Sequence, residues 1–197
     1  MKCLKVVWVS VLLVSLAAVL PVQATLIWSN GFESGDFSAW TSASGQWDVV
    51  GSGGSAHTGD YGADITGSST APDDGVLTMN VSSENFQSLT LDYYYKIRES
   101  LESTDYVFVE WTASGTDWQL LKDYTNLPAS TSWVQEILQL PAGAEDNSSF
   151  GFRLRAVLSS GSDRMNFDDF ALTGVEIPEP ATMLLGSAGL LAFRRRR

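Results

Sequence analysis

Residues 88–97 read SLTLDYYYKI. Successive side chains of an extended strand point to opposite faces. Leu89, Leu91, Tyr93, Tyr95 and Ile97 then share one face, and Asp92, Tyr94 and Lys96 share the other. An apolar face backed by a polar one, repeating every second residue, predicts a half-buried strand. The same period recurs along the chain. YVFVEW sets Tyr106, Phe108 and Glu110 against Val107, Val109 and Trp111. FGFRLRAVL sets Phe150, Phe152, Leu154 and Ala156 against Arg153 and Arg155. WVQEILQL (133–140) behaves similarly, and QWDVV, YGADIT, VLTMNV and MNFDDFALTG are further strand candidates. Gly, Ser, Asn and Asp separate the runs. About nine or ten short strands with no convincing amphipathic helix between the termini predict an all-β, antiparallel sandwich of jelly-roll type. RESLEST, residues 98–104, reads as an exposed acidic loop.

The termini obey other rules. MKCLKVVWVSVLLVSLAAVLPVQA, residues 1–24, has a basic tip, an apolar stretch and small residues at Val22 and Ala24. This is the pattern of a secretory signal peptide cleaved after Ala24. Cys3, the one cysteine, lies inside it. The exported domain, residues 25–176, would thus have no disulfide and must be held by its core or by a metal. It carries 22 acids against 6 bases. A surface so acidic disfavours nucleic acid and suits solubility or divalent cations.

The chain ends IPEPATMLLGSAGLLAFRRRR, residues 177–197. The apolar run 181–193 would span roughly 20 Å as a helix, short of the ~20 residues a bilayer core needs. Arg194, Arg195, Arg196 and Arg197 would keep its end cytoplasmic. Pro178 and Pro180, around Glu179, stop a helix from continuing upstream. These features resemble the PEP-CTERM sorting signal of Gram-negative bacteria. The resemblance implies processing by an exosortase and transient residence of the tail in the inner membrane. It also implies an exopolysaccharide-producing host and a cell-surface or biofilm-matrix destination.

NGFESGDFSAW (30–40), AHTGDYGADITG (56–67) and NFDDFALTG (166–174) resemble segments of jelly-roll carbohydrate-binding modules. In that family the first and last strands meet around a structural Ca²⁺. Carried over, the resemblance implies carboxylates from Glu33 and Asp168, with carbonyls near Gly31 and in the His57–Gly59 turn. Asp169 is the alternative to Asp168, since strand register decides which points inward. Ca²⁺ takes six to eight hard oxygens. The other reading is that Glu33 caps a turn and Asp168 accepts from a backbone amide. Trp40 follows the first motif as a core plug.

Catalytic chemistry has little footing. His57 is the single histidine, no GxSxG elbow occurs, and no mature cysteine can ligate zinc. Facing carboxylate pairs arise too easily among so many acids to signal a glycosidase. A binding module fits better than an enzyme. Sugar rings stack on aromatic faces while arginines and carboxylates bind hydroxyls. Tyr94, Arg153 and Arg155 on polar strand faces, and Trp118 in the turn SGTDWQ, are the candidates for extracellular polysaccharide. An adhesive matrix protein without a sugar site is the rival, and a hydrolase the weaker one.

Overall fold

The computed structural model describes residues 23–51, 54–68 and 75–178. Among the described residues, eleven strands form two antiparallel sheets. β3 (Trp47–Gly51), β4 (Tyr61–Thr66), β11 (Arg164–Glu176), β6 (Phe86–Ile97) and β9 (Val134–Gln139) pair in that order. β1 (Ala24–Asn30) adds to β11 beyond the reach of β4. The second sheet runs β2 (Ser42–Ser44), β5 (Gly75–Asn80), β10 (Gly151–Val157), β7 (Tyr106–Thr112) and β8 (Gln119–Asp123). The helical content of the described residues is one 3-10 turn, Ala142–Ala144.

Alternation places the core as the sequence predicts. Leu89, Leu91, Tyr93 and Ile97 of β6 are buried, as are Phe150, Phe152, Leu154 and Ala156 around β10. The inner faces meet in an aromatic cluster in which Phe32 stacks on Trp40 at 5.9 Å and Phe170 meets Trp40 edge-on at 5.2 Å. Trp40 is buried, and its indole N–H donates to Asn30 Oδ1 at 3.0 Å. Buried aromatics each remove large apolar areas from water, and edge-on pairs add about 0.5–1.5 kcal/mol. This core lies in a domain whose described residues contain no cysteine.

Two features add to the sequence expectation. Residues 98–104 form the expected largely exposed loop but anchor it at one point: Leu101 is buried, and its N–H donates to Leu127 O at 2.8 Å. The fully buried Asp105 behind it accepts from the N–H groups of Glu102 and Ser159. The second is a bulge in β11, where pairing with β6 shifts between Asp168 and Ala171. Asp169 there has φ +50°, a left-handed conformation uncommon outside glycine.

Candidate functional site

Two places concentrate polar chemistry, and they lie on different sheets. The first is the outer face of the five-stranded sheet. Arg153 of β10 sits opposite Glu110 of β7 on one side and Thr78 of β5 on the other. Arg155 is opposite Phe108 and Val76. Period-2 geometry turns all of these outward, because their neighbours Phe152, Leu154, Val107 and Val109 fill the core.

Glu110 organises the face. Arg153 Nε donates to its Oε2 at 2.7 Å. Arg155 Nε reaches the same oxygen at 3.3 Å, and Arg155 Nη2 reaches Oε1 at 3.3 Å. Arg155 Nη1 also donates to the Tyr106 hydroxyl at 3.1 Å. Aromatic rings support both guanidinium groups. Arg153 lies 4.3 Å from the centre of the Trp118 ring. Arg155 lies 5.1 Å from the rings of Tyr106 and Phe108, which stack on each other at 4.5 Å. Arg155 and Arg153 are each roughly a quarter exposed or less, at 23% and 21%, so they are held rather than free-swinging.

Tyr94 does not belong to this face. It projects from the outer side of the six-stranded sheet, across the sandwich from Arg153, Arg155 and Trp118. His57 stacks on its ring at 3.7 Å, and Trp133 meets His57 edge-on at 5.7 Å. The four sugar-binding candidates therefore form one group of three and one residue packed under a loop. Alternation reports which way a side chain points from its strand, not which sheet that strand joins. Glu110, Tyr106 and Phe108 are the members that the sequence reading passed over. Their signal was present, since they alternate outward in YVFVEW.

The second place is where the segment after β1 and the bulge of β11 meet the 56–61 loop. Asp168 is fully buried. Its Oδ2 accepts from the N–H of His57 at 2.7 Å and of Thr58 at 3.2 Å, and its Oδ1 accepts from Asp169 N–H at 2.7 Å. Asp169 Oδ2 lies 2.7 Å from His57 Nδ1, and its Oδ1 accepts from the Thr58 hydroxyl at 2.7 Å. Glu33 accepts from the N–H groups of Asp60 and Tyr61 at 3.0–3.1 Å. The bulge is what lets Asp168 and Asp169 both reach the loop. Gly31 leaves room for the two aspartates, and a side chain at Gly59, where φ is +67°, would run into the Glu33 carboxylate. Burial, ahead of the charge on Asp169, pushes the Asp168 carboxyl up to about 6, against the lowering effect of its amide donors.

Glu33 and Asp168 thus meet one loop, each through backbone amides. Among the described residues, the group of three acids with mutually close oxygens is a different one, Glu102, Asp105 and Asp163. Asp105 and Asp163 there cap the turns at 102–105 and 160–163.

Ile177 N–H donates to Asn85 O at 2.8 Å, and Pro178 follows at once. Glu179, Pro180 and Arg194–Arg197 lie outside the described residues, as does nearly all of the 1–24 leader. Among the described residues no helix is long and apolar enough to cross a membrane.

Residues 176–197 match the PEP-CTERM protein-sorting motif, which marks the chain for export and surface sorting. No curated protein matches the chain. Solved structures do. A family-61 carbohydrate-binding module in complex with β-1,4-galactotriose superposes with TM-score 0.53 at 17% identity, covering 73% of this chain and 93% of its own. The CBM22-1 xylan-binding domain of Paenibacillus barcinonensis Xyn10C gives TM-score 0.52 at 18% identity, covering 81% and 100%. The K1 cleaved adhesin domain of Lys-gingipain from Porphyromonas gingivalis gives 0.55 at 15%, covering 76% and 97%. At such identities the likeness is one of fold: the jelly-roll sandwich of carbohydrate-binding and adhesin domains.

Proposed function

We propose that the chain is an exosortase-processed surface or extracellular-matrix protein whose sandwich binds polysaccharide on the outer face of the five-stranded sheet. The observation that carries this reading is the Arg153–Glu110–Arg155 row set among the rings of Trp118, Tyr106 and Phe108. Flat rings offer stacking area for the C–H faces of sugars, and the guanidiniums, held by the buried Glu110 carboxylate, offer donors for hydroxyls. Holding the polar groups in advance lowers the ordering cost of binding. The sandwich supplies the ligand contact, and the sorting motif supplies the destination.

A glycan array probed with residues 25–176 tests this. Trp118→Ala should weaken retention on whichever glycan binds by about tenfold or more, the size of an interface hot spot, while the melting temperature changes little. A protein that retains no glycan would instead be a matrix or adhesive component, and the reading would fail.

Calcium at the junction is part of the same proposal. The donor set fits in kind: Glu33, Asp168 and Asp169 bring hard oxygens to one glycine-lined loop, and Asp168 is buried beside a second acid. A divalent cation there would favour the ionised form of Asp168. Without it, the raised folded-state pKa contributes stability below about pH 4 that is lost as pH rises through about 6. In chelator, Asp168 should therefore make the protein less stable at pH 7 than at pH 5. Calcium at a hundredfold excess over Kd should add about 2.7 kcal/mol, or roughly 5–10 °C in melting temperature for a domain of this size. A melting temperature indifferent to both calcium and chelator at pH 7 removes the ion from the proposal.

A further inference from the structure

We infer that the polysaccharide bound on the five-stranded sheet carries carboxylates, as a uronic-acid chain does, and that Arg153 receives one of them. The inference rests on the polysaccharide-binding reading of that face. Between residues 25 and 176 there are six basic residues against 22 acidic ones. Arg164 is engaged by Asp64, Lys122 by Glu136, and Arg98 by the carbonyl of Gly54. Lys96 is paired with Asn166 on the neighbouring strand β11 of the six-stranded sheet, away from this face. The remaining two stand two residues apart on β10, both outward.

Arg153 is the informative one. Its Nε edge is fixed on Glu110, and its flat face lies on Trp118. Nη1 and Nη2 make no hydrogen bond to any described residue. Two parallel donors on a planar, pre-oriented fork match the two oxygens of a carboxylate. A neutral sugar hydroxyl offers no planar pair of acceptors. Among the described residues, the acid paired with Arg153 is Glu110, and Asp123 sits opposite Phe108 at the strand end, where its carboxylate accepts from Thr125 N–H. It therefore does not occupy the fork. An acidic domain gains specificity from such a site, because its overall field disfavours polyanions that lack a matching contact.

The test measures retention of residues 25–176 on polygalacturonate, on its methyl ester, on alginate and on neutral β-1,4-galactan, at one calcium concentration below gelling. At least one of the two uronates should bind about tenfold or more tighter than the ester and the galactan, consistent with a charge-assisted bidentate contact. Arg153→Gln should erase that preference, and Arg153→Lys should restore only part of it. Equal binding of ester, galactan and uronates, or a preference that survives Arg153→Gln, overturns the inference and leaves the polysaccharide reading standing. Failure to retain any of the four, together with an empty glycan array, overturns both.

Discussion

Asp168→Ala should destabilise the domain by about 3–5 kcal/mol. The carboxylate is fully buried and accepts three backbone N–H bonds, from His57, Thr58 and Asp169. Each buried donor left without a partner costs about 1–3 kcal/mol. Removing the charge also relieves the burial that raises its pKa, which keeps the net loss toward the lower end of the sum. Asp169→Ala should cost only about 1 kcal/mol, since its partners, the His57 ring and the Thr58 hydroxyl, can turn to water. Denaturant unfolding of both variants gives the comparison, and amide exchange should show the 54–61 loop opened in Asp168→Ala alone. Equal losses would mean that the loop is held by something other than the Asp168 carboxylate. If an ion is shared there, both variants forfeit its stabilisation, so each loss is larger in calcium than in chelator, which ties this measurement to the calcium proposal.

Deleting Arg194–Arg197 should leave the protein as an unprocessed precursor, with near-complete loss of the mature form in the native host. The same outcome is expected of the double substitution Pro178→Ala, Pro180→Ala. A chain that stops after Ile177 should nonetheless fold with its melting temperature almost unchanged, within the ~0.5 kcal/mol typical of surface changes. The reason is where the sandwich ends. β11 closes at Glu176, and Ile177 N–H makes the last backbone bond, to Asn85 O. Proline has no N–H to extend that ladder, so Pro178 marks the natural edge of the domain. Sorting and folding are separable on this view. An intact C-terminus on the mature wild-type protein would refute the processing claim, and a large fall in melting temperature on truncation would refute the separation.

The two cases differ in how far the sequence could carry them. The sorting tail is linear chemistry: a proline pair, an apolar run and a basic end work in order along the chain, so their meaning survives without coordinates. The same holds for the strands. Period-2 alternation in residues 88–97 and 150–158 reflects the local pleat, and the buried and outward residues fall where it puts them. β1, β2 and β8 were not foreseen, because LIW in β1 and QLLKD in β8 lack a clean alternation and Ser42–Ser44 is entirely exposed.

What alternation determined was the direction of each side chain and hence the fold class. What only the tertiary structure decided was company. Tyr94 and Arg153 both point outward from their strands, yet strand order sends them to opposite faces of the sandwich. Glu110 became the centre of the arginine row because β7 pairs with β10 in one register, a pairing set by core packing across a sequence separation of 43. The placement of Asp168 and Asp169 was decided in the same way. A bulge with one residue at positive φ presents both to the loop. Such a bulge is stabilised by contacts more than 100 residues apart in sequence, so no local pattern announces it.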